Sequence, residues 1–344
     1  MELRGGNKLV AMILSRSTKH SGARLLGVRL LGVLAPYIML EMSTTIGHLI
    51  EHASEVLKSG EKVAICVLSK TTGSSPASVG AIMLVYGNGE MFGTIGGGCV
   101  EAGVVESAME SLRSGCGQVQ TIPLDHTFAW KEGLICGGTI EVVIALATDA
   151  EKLRTIACEY QKRISTKLEL AIEEGTWTLN LPPRPHVYIV GAGHLGQDVC
   201  KHALAIDFSV SVFDDRQDML DRFIPNEATH IHGNIADTLG RANFDDETYV
   251  VIVTRGHRDD AVALHAVAGK GAGYVGMVGS KRKIGLTFNE LKDRGVPSEV
   301  LQTVHAPIGI DIGAKTVSEI ALAITAQLVE QRRNKKTIPK VICP

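Results

Sequence analysis

The chain has 344 residues, a formal net charge of −2 and 45% hydrophobic residues, a length that suits two domains with sizeable cores. The near-neutral charge, without a basic patch interleaved with aromatics, excludes nucleic acid as an expected partner. Seven cysteines with no C-x-x-C pair point to reduced thiols in a cytoplasmic setting rather than to a disulfide framework or a zinc site.

Residues 1–41 differ from everything after them. Arg4, Lys8, Arg16, Lys19, Arg24 and Arg29 stand against Glu2 and Glu41, and the apolar stretch from Leu25 to Leu40 is broken by Arg29 and Pro36. This reads either as a basic, acid-poor targeting peptide or as sequence ahead of a true start at Met39 or Met42. The stretch is too short to span a bilayer, so no membrane partner is expected. On both readings, residues 1–41 lie outside the fold.

From Thr44 the pattern is regular. Ile46, Leu49, Ile50, Ala53, Val56 and Leu57 fall on one face of a helix that stops at Gly60. Val63–Ser69 reads as a buried strand, Thr71–Pro76 as a loop, and Ala81–Tyr86 as a strand entering a Gly87-Asn88-Gly89 hairpin turn. A short partner strand leads into Gly96-Gly97-Gly98-Cys99. Val100, Val104, Val105, Ala108 and Leu112 then form a helical stripe, which puts Cys99 near a helix N-terminus. The dipole there favours the thiolate, a nucleophile or soft metal ligand. A second glycine-flanked cysteine, Cys136-Gly137-Gly138, precedes the strand Thr139–Leu146. A buried cysteine is often only a small hydrophobe, as read here for Cys66 and Cys200. The glycines before Cys99 and after Cys136, however, would let a ligand reach the backbone.

Residues 151–183 are expected to be a connector: a charged amphipathic helix over Glu151–Glu174, then a stiff proline-rich linker, Leu181–Pro185. A strand, Val187–Val190, follows and stops at Gly191-Ala192-Gly193-His194-Leu195-Gly196, succeeded by a helix and a second strand ending at Asp214-Asp215. The three glycines serve different ends: Gly191 the tight turn, Gly193 the close approach of a phosphate, and Gly196 the packing of helix on strand. His194 stands at the helix entrance, whose N–H groups suit an anion. Asp214, about twenty residues beyond the turn, stands where such folds place an acid for ribose hydroxyls. The pattern points to a phosphate-bearing ligand or to a Rossmann fold with a degenerate site.

Two further strands, Tyr249–Val253 and Tyr274–Val278, lead to Thr254–Asp260 and to Gly279-Ser280-Lys281-Arg282-Lys283, loops expected to face the same crevice. Ser280 suits a helix cap, and Lys281 with Arg282 either offers charge to a phosphate or forms a solvated face. His257 reads as a ligand contact, a proton-transfer group or a plain loop histidine. Thr316–Glu319 matches a capping box, and Asp311 suits a turn or a catalytic role. The chain from 334 to 344 reads as a basic tail.

Taken together, TTGSSPASVGAIMLV, GTIGGGCVEAGV and ICGGTIEV resemble the first domain of the XdhC/CoxI family, and VYIVGAGHLG, VFDDR, VTRGHRDD, MVGSKRK and HAPIGIDIGAKTVSEIALAI resemble its second, Rossmann-type domain. The resemblance runs from Met42 to Arg333. It implies a maturation chaperone, not itself catalytic, that binds the molybdenum cofactor, assists its sulfuration and delivers it to a xanthine dehydrogenase-type hydroxylase. A cysteine desulfurase is a further candidate partner, and a homodimer is implied. By motif, Cys99 and Cys136 become candidate molybdenum contacts, with Gly96, Gly97, Gly98 and Gly137 around them. The fold expected is α/β: a smaller N-terminal α/β domain at 42–150, the connector, and a doubly wound parallel-sheet domain at 184–333. The alternative function is an NAD(P)-dependent oxidoreductase with Asp214 on the ribose and His257 as proton donor.

Overall fold

The computed structural model describes residues 45–124 and 138–334 apart from 74 and 76. The expected leader, Cys136 with Gly137, and the tail beyond Asn334 lie outside the described residues. The first helix among the described residues, α1 (Ile46–Lys58), starts where the Thr45 side chain accepts from the His48 N–H. After it come β1 (Val63–Gly73), β2 (Ile82–Tyr86), β3 (Met91–Gly93), α2 (Cys99–Ser114), β4 (Gln118–Pro123) and β5 (Gly138–Leu146). The strands form an antiparallel sheet in the order β3-β2-β1-β5-β4.

Strand β1 is apolar throughout its first half because it is covered on both faces. Val63, Ile65 and Val67 pack with Leu49, Ile50 and Ala53 of α1. Ala64, Cys66 and Leu68 alternate to the other face and pack with Val100, Val104, Ala108 and Leu112 of α2. Each large aliphatic side chain so buried contributes roughly 1.5–3 kcal/mol.

The helix expected over Glu151–Glu174 is shorter. Helix α3 spans Ala150–Gln161, capped by Asp149, and gives way to a hairpin of β6 (Thr166–Ile172) and β7 (Gly175–Leu181). The alternation of Leu168 and Leu170 with polar neighbours, answered by Trp177, Leu179 and Leu181, has a period of two, and that pattern overrides the charge-rich helical reading. These side chains join Leu153, Ile156 and Tyr160 of α3 in the core under β1, so this segment completes the first core.

The second sheet consists of β8 (His186–Val190), β9 (Ser209–Asp214), β10 (Thr229–His232), β11 (Thr248–Ile252) and β12 (Tyr274–Met277). All its pairings are parallel, in the order β10-β9-β8-β11-β12. His305 adds a parallel bridge to Gly276 beside β12. One face carries α4 (His194–Ala205) and α10 (Val317–Asn334). The other carries α6 (Ile235–Gly240), α7 (His257–Val267) and α8 (Lys281–Asp293). The short helices α5 (Gln217–Asp221) and α9 (Ser298–Gln302) complete the set described. The expected capping box starts α10: Glu319 accepts from the Thr316 N–H, and the Glu319 N–H donates to Thr316 Oγ1. The strand order reverses between β8 and β11, and ligands of such sheets bind outside the carboxyl ends at that point.

The proline-rich segment after β7 is held on both sides. Tyr160 donates to Asp207 at 2.8 Å, Arg184 pairs with Asp207 at 3.0 Å, and Arg163 pairs with Asp245 at 2.8 Å. These contacts tie α3 and its following turn to the second sheet.

Candidate functional site

At the carboxyl end of β8 the three fingerprint glycines are separated by what surrounds them. Gly191 has φ +124°, and a methyl there would lie 2.5 Å from the Val253 carbonyl oxygen at the end of β11. A methyl on Gly196 would lie 2.1 Å from the Gly191 carbonyl oxygen. At Gly193 it would meet nothing within 4 Å. Two positions are therefore closed by packing and the third is open.

Gly193 is also the N-cap of α4 and Gly256 the N-cap of α7; neither helix start receives a side-chain cap. Two helix N-termini with unsatisfied N–H groups thus flank the switch point, each equivalent to about half a positive charge. Helix α8 differs, because Ser280 Oγ accepts from the Lys283 N–H and closes its own terminus. His194 opens α4 and is exposed, as is Lys281 at the start of α8. His257, the first residue of α7, stands 3.9 Å from Glu290 of α8.

Buried carboxylates brace these loops. Asp214, 3% exposed, accepts from the Ala192 N–H at 2.7 Å and from the Arg216 backbone N–H, Nε and Nη2 at 2.9–3.0 Å. Burial alone would raise its pKa, but the hydrogen bonds from Arg216 and Ala192 win and hold the carboxyl below its ordinary value. Four donors occupy a group with about four accepting positions. The acid expected to meet a ribose is instead spent on holding the glycine turn. Asp260, fully buried, accepts from Thr254 and pairs with Lys283, joining the loop after β11 to α8. Sequence reasoning passed over Asp260 and Lys283, since an acid in the first turns of a helix and a lysine in a basic run both read as surface residues.

In the first sheet, Gly96, Gly97 and Gly98 take φ of 144°, 80° and 62°, a run only glycine adopts without strain. A methyl on Gly97 or Gly98 would meet nothing within 4 Å. Cys99 is the first residue of α2, and Gly98 its N-cap without a side-chain cap. Glu101, 6% exposed, accepts from the Gly97 N–H at 3.0 Å and from Thr94 at 2.6 Å. It stands three residues after the N-cap, the place from which a glutamate reaches back to the chain before the helix, and that spacing was the legible signal.

Strand β1 runs past its expected end at Ser69 and pairs Gly73 with Gly138, the residue after Cys136-Gly137. The Leu124 N–H donates to the Gly138 carbonyl at 2.7 Å. Ile95 and Val100, on either side of the triple glycine, share one buried cluster with Leu124 and Ile140. Cys66 and Cys200 are fully buried, and burial pushes both thiols up, that of Cys200 to about 12. Both act as packing groups.

No cluster of three or more His, Cys, Asp or Glu able to hold a metal occurs among the described residues. Open glycine backbone at uncapped helix starts suits a phosphate-bearing ligand. None of the described helices is long and apolar enough to cross a membrane.

Family descriptions match both sheets: "XdhC and CoxI family" over residues 56–123 and "XdhC Rossmann domain" over residues 187–328. The chain belongs to the XdhC/CoxI family. Among relatives of this XdhC/CoxI protein, the "Molybdenum cofactor insertion chaperone PaoD" of Escherichia coli (strain K12) is 23% identical over 305 residues, 84% of this chain and 89% of that one. A probable xanthine dehydrogenase subunit of Bacillus subtilis (strain 168) is 25% identical over 329 residues, 81% of this chain and 96% of the other. The "Uncharacterized protein YqeB" of E. coli is 26% identical over 276 residues, 79% of this chain, which spans 44% of its length. A solved chain described as a xanthine dehydrogenase of Bacillus halodurans superposes with a TM-score of 0.71 at 22% identity, covering 86% of this chain and 97% of that one; the likeness shows the shared fold.

Proposed function

We propose that this protein binds the molybdenum cofactor, assists its sulfuration and delivers it to a xanthine dehydrogenase-type hydroxylase. The observation that carries the reading is the start of α2. Three left-handed glycines, two of them open to a ligand, end at an uncapped helix N-terminus whose first residue is Cys99. Such a terminus gathers N–H donors for a phosphate or an oxo-metal group and favours a thiolate at the same place. Cys136, in the motif ICGGTIEV, joins it in this proposal on the family resemblance. The second sheet adds the anion site between α4 and α7. Membership of the XdhC/CoxI family and the relative named as a molybdenum cofactor insertion chaperone support the assignment. The family resemblance also supports a homodimer working in the cytoplasm beside a cysteine desulfurase.

An NAD(P)-dependent oxidoreductase is less well served. Asp214 has no accepting position left for a ribose, and His257 lies beside Glu290. The test is purification from cells that synthesise the cofactor, with molybdenum measured by mass spectrometry and pterin by fluorescence after oxidation. Wild type should carry both, and Cys99→Ser and Cys136→Ser should each lose most of the load. A wild-type protein free of molybdenum and pterin, or one that oxidises NAD(P)H, would overturn the proposal.

A further inference from the structure

A cavity of about 200 Å³ lies where the end of β5 meets α3 and the β6–β7 hairpin. Its floor is aliphatic: Ile65 of β1, Leu153 and Ile156 of α3, and Leu168 and Leu170 of β6, none more than 6% exposed. Its mouth is charged. Lys152, on the first turn of α3, and Glu169 of β6 line it too, both half-exposed, with Nζ 2.7 Å from Oε2. The Asp149 carboxylate accepts from the Lys152 N–H at 2.9 Å and caps α3, which fixes the turn that carries the lysine. No residue of the glycine turns at Gly96–Cys99 or Gly191–Gly196 lines the cavity.

Protein interiors leave few voids larger than a water molecule, so a space of this size is not ordinary packing. The aliphatic floor offers water no hydrogen-bond partner, and apolar cavities of about 150 Å³ stay dry and admit a guest the size of benzene. The mouth narrows the choice of guest. A lone carboxylate at Lys152 would set a like charge beside Glu169, and a lone amine at Glu169 would do the same to Lys152. A molecule that carries both charges on one carbon gives each side chain an opposite partner in a charge-assisted hydrogen bond. Exposed ion pairs contribute little to stability, so this one can open to let such a molecule in. We propose that the cavity binds a free α-amino acid with an apolar side chain the size of leucine or phenylalanine. Its carboxylate meets Lys152, its ammonium meets Glu169, and its side chain rests on the aliphatic floor. That floor belongs to the core beneath β1, so an occupied cavity tightens the β6–β7 hairpin against the first sheet. The amino acid and the molybdenum cofactor have no lining residue in common.

The experiment is isothermal titration of the full chain with L-leucine, L-phenylalanine, glycine, 4-methylpentanoate and 3-methylbutylamine, joined to methyl NMR spectra of Ile65 and Leu168. The last two compounds are leucine without its ammonium and without its carboxylate. Wild type should bind leucine or phenylalanine with a Kd below about 1 mM and the other three at least about tenfold more weakly. Bound leucine should shift the methyl signals of Ile65 and Leu168. Lys152→Gln and Glu169→Gln, both at half-exposed positions, should each weaken leucine about tenfold or more. Lys152→Gln should leave 3-methylbutylamine, and Glu169→Gln should leave 4-methylpentanoate, within about threefold of wild type, since each analogue lacks the group that the altered residue would meet. Wild type that binds neither amino acid at about 10 mM overturns the proposal, as does equal affinity for glycine or for either analogue. Leucine binding that leaves the Ile65 methyls unshifted, or that either variant keeps at full affinity, also overturns it.

Discussion

Replacing Gly193 and Gly196 in turn by alanine should separate binding from folding. At Gly196 the new methyl would lie 2.1 Å from the Gly191 carbonyl oxygen, a backbone atom that no side-chain rotation can move aside. Overpacking of this kind costs about 1–3 kcal/mol, and the gain in helix propensity from alanine, about 0.5–1 kcal/mol, offsets only part of it. At about 2–4 °C per kcal/mol, Gly196→Ala should melt several degrees below wild type. Gly193 has φ −75° and ψ −178°, a conformation open to alanine, and its methyl meets nothing within 4 Å. Losing glycine at an N-cap and restricting the unfolded chain have opposite signs and similar size, each up to about 1 kcal/mol, so the melting temperature should barely move. The methyl would instead occupy the approach to the α4 N–H groups. Loss of one charge-assisted hydrogen bond is worth about 1.5–3 kcal/mol, tenfold or more in affinity. Scanning fluorimetry and pyrophosphate titration on both variants measure the two effects. Gly193→Ala that keeps wild-type affinity and a wild-type melting temperature would refute the view that this glycine faces a ligand.

Other positions give independent checks. Glu101→Ala leaves the half-buried Gly97 N–H and the Thr94 hydroxyl without their acceptor, which should cost about 0.5–1.5 kcal/mol and speed hydrogen exchange at Gly97, while Glu101→Gln recovers most of both. Unchanged exchange in Glu101→Ala would show that the brace does not set the loop. His186 lies between Ser209 and Ser211, and burial together with the Arg163 charge lowers its pKa to about 3. The folded state thus binds fewer protons than the unfolded one between about pH 6.5 and 3, so its stabilising effect is complete above that window and fades on acidification, by up to about 1.4 kcal/mol per pH unit. Denaturant titrations from pH 7 to pH 5 should show that slope, reduced in His186→Phe; equal slopes would contradict the assignment. Iodoacetamide should label exposed Cys116 and Cys158 in the native protein, and Cys99 faster still, while Cys66 and Cys200 react only after unfolding. Slow alkylation at Cys99 counts against a thiolate there.

What could be read from the sequence followed from periodicity and from glycine. The stripe of α1, the doubly covered β1 and the alternation of strand and helix after His186 need only spacing and hydrophobicity, and the glycine spacing already marked Gly191 and Gly196 as the positions closed by packing. The hairpin β6–β7 was missed because Lys167 and Glu169 of β6 and the turn residues Glu173 and Glu174 continue the charge of α3 and the period-two pattern is short, so local composition suggested a helix. That Asp214 is buried among donors while Asp215 is exposed could not be read, since adjacent acids differ only in which way each faces and what donors lie there. Asp260 and Lys283 were illegible for the same reason: 23 residues separate them in the chain, and only the packing of α7 beside α8 brings them together.

The central claim is delivery, and reconstitution tests it most directly. Protein purified with its molybdenum and pterin load is mixed with apo-hydroxylase of the xanthine dehydrogenase type, and substrate turnover is followed against equal amounts of free cofactor. Loaded wild type should restore turnover well beyond the free cofactor, and Cys99→Ser prepared in the same way should restore at most a tenth as much. Turnover no higher than with free cofactor, at equal molybdenum, would contradict the account.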